Sequence, residues 1–485
     1  MSSLKDSSIL GAKWMTISTA VSSLVAILRL SILTRFLDKS DFGIVAVVSF
    51  ILGLTSMFSD MGFSTVILHK QDIDRKQFSS LFWIQMFVYC LLYLMVVSLT
   101  YPIATFYNEP LLHTLLPLAL LDLLFLGVGR MYETVLQKNF QFKIIAVRNI
   151  ISCIVSLLLA IIMAVMGFGV YTLVISTLFA TIFLACWNFI VGQKHIKLMW
   201  YCEVKNNIPL FKIGLYQTGT QIVDYFCTKL DVLIIGKLLG MEVLGVYNLS
   251  KEFIFKILSM IFSIGNRVLS PAFAKIQNNL ERLRNAYCNS LQLLTSITFP
   301  AILAVFVLSS PLISVLYGTD YLSSAPLTSI LAIAALGTAI GNPVRNIIVA
   351  TGRTDLTFYY VWIRAFVTIP CVYLSALHSI QMVAYGQIVL ALFDLLLQWR
   401  MEIKPTIHLG FTQMMLSLKN NAIMMVVIGV IVLLMFSYVP IGIANPLLQL
   451  IIFGIIISLL YLFMYYCFFR KDLDMIISMI KSVIK

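Results

Sequence analysis

Residues 34–47, TRFLDKSDFGIVAV, align without a gap onto residues 236–249, GKLLGMEVLGVYNL. Arg35 meets Lys237, Leu37 meets Leu239 and Gly43 meets Gly245. Both stretches leave one long apolar segment through a basic residue and a tight turn, and both enter the next apolar segment. A short match at the same place in two hydropathy patterns is the mark of an internal repeat in a membrane transporter. The repeat decides the fold class, so the surrounding segments are read against it.

The apolar segments recur along the whole chain. Of 485 residues, 60% are hydrophobic and 11% are charged, with mean hydropathy +0.97. That leaves too little polar sequence to cover a water-facing surface. About fourteen runs are long enough for a hydrocarbon core of about 30 Å. They fall at 11–36, 42–67, 79–104, 113–136, 145–166, 170–192, 211–237, 243–270, 288–314, 326–350, 357–376, 379–400, 420–439 and 446–469. In lipid each backbone amide must be satisfied within its own segment, so these are helices. The first run is too long and too rich in Ser and Thr for a cleaved signal peptide and reads as a retained span.

Loop charge gives an independent check. With the N-terminus in the cytoplasm, roughly 23 Lys and Arg fall on inner loops and termini, against Arg35, Lys39 and Lys237 outside. The net charge of +13 is thereby a matter of topology, and no basic patch with interleaved aromatics points to nucleic acid. An even number of spans per repeat makes the repeat parallel, with its axis along the membrane normal. The expected architecture is an all-α polytopic membrane protein of about fourteen helices. A six-helix lobe spans 1–205, a second spans 206–405, and 406–485 holds two further helices and an amphipathic cytoplasmic tail. In that tail Leu473, Ile476, Ile477, Ile480 and Ile484 share one face, and Pro405–Lys419 is expected to lie along the same membrane surface.

Ionisable residues inside spans are functional candidates by default, because lipid penalises them. Gln217, Gln221, Asp224, Thr228 and Asp231 recur on one face of the seventh span. Asn248, Glu252, Lys256, Ser259, Ser263 and Arg267 form a stripe on the eighth. Thr19, Ser22 and Arg29 form a weaker one on the first, and the repeat makes Arg29 and Asp231 mates of opposite sign. Arg345, Arg364, Asp394, Arg130 and Glu133 add to the inventory. Plainer readings stand beside these: intrahelical pairs for Arg130 with Glu133 and Glu252 with Lys256, interfacial water for Asp394, and snorkelling for Arg267. Cations prevail, with Arg29, Lys229, Lys251, Lys256, Arg267, Arg345 and Arg364 against Asp224, Asp231 and Glu252. Guanidinium forks in a water-poor cavity suit an anionic, phosphate-bearing cargo.

Several classes of function are disfavoured. The eight cysteines form no CxxC and no Cys/His cluster, so metal and redox roles find no support. No GxxxxGK[ST] loop is present for nucleotide. Outer loops of a few residues, the longest near Tyr101–Leu112, leave no room for an enzyme's extracytoplasmic site.

KLDVLIIGKLLGMEVLGVYNLSKEF (Lys229–Phe253) resembles the helix seven to helix eight signature of polysaccharide exporters of the MOP superfamily. The stretches from Ile9 to Val48, DMGFSTVILHKQD from Asp60 and RVLSPAFAKIQ from Arg267 fit the Wzx-type flippases of the O-antigen, exopolysaccharide and colanic-acid class. The resemblance covers essentially the whole chain. It implies two lobes around a central cavity, as in drug/cation antiporters and lipid II flippases, plus two accessory helices. It also implies movement of undecaprenyl-pyrophosphate-linked oligosaccharide from inner to outer leaflet by alternating access. An H+ or Na+ gradient is then the energy source, with no cofactor, in a bacterial cytoplasmic membrane with both termini inside. A monomer is expected, acting beside a glycan polymerase. Under that reading Arg345, Arg364 and Arg267 collect the pyrophosphate, and Lys256 and Arg29 continue the cationic path. Asp224, Asp231 and Glu252 serve coupling or gating, with Gln217, Gln221 and Thr228 lining the cavity. Arg29 and Asp231 are expected to pair when the outer gate is shut. The alternatives are a multidrug/cation antiporter of the same superfamily, which favours an acidic aromatic cavity, and a membrane glycan polymerase.

Overall fold

The computed structural model of the chain describes residues 2–60, 74–201, 203, 208–438, 445–470 and 474. Among these there is helix and no strand. The C-terminal tail beyond Asp474 and the DMGFSTVILHKQD stretch after Asp60 lie outside the described residues.

The first compact unit, Met1–Asn248, contains α1 (Ser2–Leu33), α2 (Lys39–Asp60), α3 (Arg75–Ser98), α4 (Thr100–Tyr107), α5 (Leu111–Lys138), α6 (Phe142–Val165), α7 (Tyr171–Gly192), α8 (Ile208–Leu238) and the first turns of α9 (Met241–Ile276). The second, Leu249–Lys485, holds the rest of α9, then α10 (Leu280–Val307), α11 (Ser309–Tyr317), α12 (Ala325–Thr351), α13 (Thr354–Ala376), α14 (Ile380–Gln398), α15 (Lys404–Ile407), α16 (Phe411–Tyr438) and α17 (Pro446–Phe468). Among the described residues, twelve helices are long and apolar enough to cross a membrane, and they fall on twelve of the expected spans. The remaining two expected spans are α8 and α9. At 31 and 36 residues they reach about 46 and 54 Å at 1.5 Å per residue. Both carry charged residues along their length, Asp224, Lys229 and Asp231 on α8 and Lys251, Glu252 and Lys256 on α9.

Helix ends follow local chemistry. Asn279, Ser379 and Asn445 accept the backbone N–H groups of Arg282, Met382 and Leu447, satisfying amides that the first turn leaves free. Gly352 closes α12 at φ +71°, a left-handed conformation that glycine adopts without strain. Within the first unit α1 packs on α6, α6 on α7, α7 on α5, and α5 on α2 and α3. In the second, α12 packs on α10 and α14, while α16 packs on α10 and α17. Lipid is as apolar as leucine, so close packing and buried polar contacts hold such helices together. Asn421 of α16 shows this. Its Nδ2 donates to Thr295 Oγ1 at 2.7 Å and to the Gln292 carbonyl at 2.9 Å, and Tyr465 of α17 donates to its Oδ1 at 2.6 Å.

The repeated stretches touch. A Cβ on Gly43 would run into the Met241 carbonyl, and one on Gly245 would run into the Lys39 carbonyl. Lys39 and Met241 are themselves partners in the repeat, so the helix starts of α2 and α9 exchange the same contact. Lys39 Nζ adds an ion pair to Glu242 at 3.7 Å.

A second correspondence is structural alone. The outer segment near Tyr101–Leu112, expected as a loop, is the short helix α4, and α11 is its counterpart in the second unit. Each ends in a buried tyrosine, Tyr107 and Tyr317, followed by a residue at positive φ, Asn108 at +56° and Gly318 at +92°. Burial pushes both phenols well above the ordinary tyrosine range.

One other expectation is corrected. Pro405–Lys419 is not one surface segment: it is divided at His408, φ +49°, between α15 and the first turns of α16. Arg284 reaches in to the Ile407 and His408 carbonyls there and holds the bend. The linker after α7 is pinned to α3. Arg75 donates to the Lys197 carbonyl, Trp83 to that of Met199, and Ser80 exchanges hydrogen bonds with Glu203. Trp200 then stacks on Trp83 with ring centroids 4.2 Å apart.

Candidate functional site

In α8 the stripe resolves into groups with different roles. Asp231 is 3% exposed. Its Oδ2 accepts the Tyr247 hydroxyl at 2.6 Å and its Oδ1 accepts the Val232 N–H at 3.0 Å. The bond to Tyr247 ties α8 to the first turns of α9 across the turn at Gly240, φ +87°. Thr228 donates to the Asp224 carbonyl of its own helix at 2.8 Å. Asp224 is half-buried and Gln221 is exposed. The side chain of Gln217 lies outside the described residues.

Arg29 of α1 turns to α7. Its Nη2 donates to the Leu173 carbonyl at 3.1 Å and to Ser176 Oγ at 2.7 Å. Arg29 and Asp231 therefore keep separate partners here, and the two do not form an ion pair with each other. α6 lines the same wall of α7: Ser156 donates to the Ser176 carbonyl at 2.7 Å and Ser152 to that of Ala180 at 3.2 Å. Cys153 lies 3.4 Å from Ser22 of α1.

The first unit also holds two ionisable residues that the sequence reading passed over as sites. Arg148, counted there as a loop charge, is 1% exposed. It pairs with Glu133 at 3.4 Å and donates to Asn149 and to Asn188, whose amide in turn donates to the Gly129 carbonyl at 3.0 Å. Glu133 thus has an ion-pair partner on α6. The other is Asp122, alone in the apolar run of α5, a helix that packs on α7.

In the second unit the α9 stripe begins with Lys251, 8% exposed, its ammonium 5.9 Å from the Phe255 ring centroid. Glu252 and Lys256 are half-buried. The Glu252 carboxylate acts on Tyr317, adding to the burial that raises its phenol. Ser259 and Ser263 donate to carbonyls of their own helix. At the far end of the stripe, α9 and α12 are joined by an amide ladder. Asn346 Nδ2 donates to Asn266 Oδ1 at 2.7 Å, and Ser270 donates to Asn346 Oδ1 at 2.8 Å. Asn266 and Asn346 are the chain neighbours of Arg267 and Arg345, so the ladder brings these two candidate positions to one end of the unit. Arg345 is exposed, and the Arg267 side chain lies outside the described residues. Arg364 is placed differently: its Nε lies 2.9 Å from Asp394 Oδ2, and both side chains are 23% exposed. Sequence spacing could not reveal that pair, because the partners stand on neighbouring helices, α13 and α14.

A sequence profile of the family described as polysaccharide biosynthesis protein matches residues 32–326. The lipopolysaccharide biosynthesis protein WzxC of Escherichia coli (strain K12) is 25% identical over 426 residues, covering 86% of this chain and 85% of its own. Among solved structures, the lipid II flippase MurJ in an inward closed conformation superposes with a TM-score of 0.71 at 15% identity, covering 93% of this chain and 98% of its own. An inward-facing multidrug resistance MATE family transporter of the MOP superfamily gives 0.60 at 15% identity, covering 80% and 98%. At such identity these two report likeness of fold.

Proposed function

Since this chain belongs to the polysaccharide biosynthesis protein family, we propose that it is a flippase that carries a polyprenyl-pyrophosphate-linked oligosaccharide from the inner to the outer leaflet of a bacterial cytoplasmic membrane. The observation that carries the reading is the set of charged residues kept inside two consecutive helices long enough to cross a membrane. α8 carries Asp224, Lys229 and Asp231, and α9 carries Lys251, Glu252 and Lys256. A bundle gains nothing from such residues unless they serve a polar cargo or one another.

The pyrophosphate is assigned to the end of the second unit where the Asn266–Asn346–Ser270 ladder joins α9 to α12, next in the chain to Arg267 and Arg345. Lys256 lies further along α9. Guanidinium groups bind phosphate oxygens in forked pairs that water weakens least when it is scarce. Arg364 is assigned to a helix-locking pair with Asp394 rather than to the cargo, because that carboxylate already neutralises it. The protein works as a monomer with both termini in the cytoplasm. It performs no covalent chemistry, draws on an ion gradient, and hands its cargo to a glycan polymerase.

The test is deletion of the gene followed by extraction of polyprenyl-linked glycans. The lipid-linked unit should accumulate on the cytoplasmic leaflet, wild type should clear it, and Arg345→Ala should not. Sensitivity to cationic dyes without any lipid intermediate would transfer the chain to the drug/cation antiporter reading.

A further inference from the structure

The linker that leaves α7 dips along the flank of α3. Ile196 and Leu198 pack on the cluster of Phe78, Phe82 and Tyr132, while Lys194 and Lys197 are exposed. Met199, Trp200 and Tyr201 then form a three-residue turn, in which the Tyr201 N–H donates to the Met199 carbonyl at 3.0 Å. The same carbonyl accepts Trp83 Nε1 at 2.8 Å, and the Met199 N–H donates to Ser79 Oγ at 3.0 Å. Trp200 is the apex of the turn. Its ring is fixed face to face on Trp83, and yet it is 89% exposed.

The place of Trp200 along α3 decides what its exposed face meets. Trp83 stands eight residues after Arg75, the first residue of α3, and so about 12 Å along the helix. α3 has 24 residues, about 36 Å in all, little more than a hydrocarbon core of about 30 Å. The stacked pair therefore lies beside the bilayer and not above it, at a depth where tryptophan rings gather. Cations stand nearer the helix start. Arg75 donates to the Lys197 carbonyl at 2.7 Å, and Lys76 Nζ lies 5.8 Å from the Tyr201 ring centroid. Arg75, Lys76, Lys194 and Lys197 are all exposed, against the acids Asp74 and Glu203. Glu203 accepts the Tyr201 hydroxyl at 2.9 Å.

We infer that this end of the first unit holds an anionic phospholipid, with its phosphate among Arg75, Lys76 and Lys197 and its acyl chains against the Trp200 ring. The layers of the site match the layers of a lipid: cations at the helix start, then Tyr201, then an apolar ring about 12 Å further in. The positive excess selects an anionic headgroup over a zwitterionic one. Hydrogen bonds to Ser79, Trp83 and Arg75 fix the turn beforehand, so no loop has to be ordered when the lipid arrives. α3 packs on α2, α4 and α5, none of which carries the charged stripes assigned to the cargo. The lipid is thus a standing neighbour of the transporter, and on the orientation proposed above it belongs to the inner leaflet.

Two other uses of an exposed tryptophan make different demands. A docking surface for a protein needs the ring in water, clear of the span. An ordinary aromatic belt needs the ring in lipid but is indifferent to headgroup charge. A lipid site needs both contact with acyl chains and a preference for the anionic headgroup.

The full chain should be reconstituted in phosphatidylcholine vesicles in which a minor fraction of the lipid is brominated on the upper acyl chain, since bromine quenches tryptophan on contact. The brominated lipid is phosphatidylglycerol in one set and phosphatidylcholine in the other, at equal fraction. The difference in quenching between wild type and Trp200→Phe reports on Trp200 among the six tryptophans of the chain. That difference should be at least threefold larger with brominated phosphatidylglycerol, and the preference should fade in molar salt. Lys76→Gln combined with Lys197→Gln keeps every tryptophan and should abolish the preference while leaving quenching by brominated phosphatidylcholine as it was. Equal quenching by the two lipids overturns the proposal and leaves an aromatic belt. Quenching by neither, even in fully brominated vesicles, also overturns it and gives the surface to a protein partner. Both leaflets carry the same lipid and no glycan is present, so the result is independent of the flippase reading.

Discussion

Gly43 and Gly245 each meet the backbone carbonyl at the start of the other's helix, Gly43 against Met241 and Gly245 against Lys39. Partners in the sequence repeat are thus partners in space, related by a local two-fold exchange. Backbone stands opposite in both cases, so no side chain can rotate away to make room.

Gly43→Ala and Gly245→Ala should each cost about 2 kcal/mol, the usual penalty for overpacking a close contact. The double variant should cost less than the sum, since one added methyl already separates the helices. Thermal unfolding followed by size-exclusion chromatography reads this directly, and full additivity would argue that the two contacts are independent.

Tyr247→Phe removes the hydroxyl that Asp231 depends on. Leaving a buried acceptor without its donor costs about 1–3 kcal/mol. Asp231→Asn should cost less, because an amide oxygen can still accept from Tyr247. The charge exchange Arg29→Asp with Asp231→Arg is expected not to restore function. It would set a carboxylate against the Leu173 carbonyl and a guanidinium in a pocket built around the Tyr247 hydroxyl. Recovery of glycan export in the exchanged protein would show that the two residues meet in another conformation.

Arg364 and Asp394 should behave in the opposite way. Either single reversal of charge should destabilise the second unit, and Arg364→Asp with Asp394→Arg should regain most of the loss. Arg345→Ala should lower the flipping rate by about tenfold or more, the scale of one charge-assisted contact to phosphate.

Arg148→Met should be costly, about 2 kcal/mol, because it takes from the buried Asn188 carbonyl the donor it is built around. Glu133→Gln keeps a hydrogen-bonding side chain in place and should cost less. Comparing the two melting points tests whether this cluster is a structural lock.

The sequence was informative wherever a signal repeats within one segment. Apolar runs, basic inner loops and the 34–47 repeat located twelve of the membrane-crossing helices and the paired starts of α2 and α9. It was silent where the partner stands on another helix. Asp122 lies in an unbroken apolar run with no polar residue at i±3 or i±4. Arg148 looked like a loop charge because it falls within two turns of the start of α6, and its partners Glu133 and Asn188 belong to α5 and α7. The same holds for Arg364 with Asp394. The counterpart helices α4 and α11 escaped notice because they share a shape, a buried tyrosine followed by a left-handed residue, without sharing a sequence.

The charged stripes of α8 and α9 also bear on how the protein is made. A charged residue at the centre of a nascent helix costs about 2.5–3.5 kcal/mol when the translocon offers that helix to lipid. Neither α8 nor α9 is a good passenger alone. They are joined by a two-residue turn and bonded through Asp231 and Tyr247. α8 also leans on α2, where the Tyr225 hydroxyl donates to the Phe50 carbonyl at 3.0 Å. Biogenesis should therefore hold this hairpin back until α1–α7 are in place and then admit it as a pair, so a ribosome-stalled chain ending before Tyr247 would leave α8 outside the bilayer.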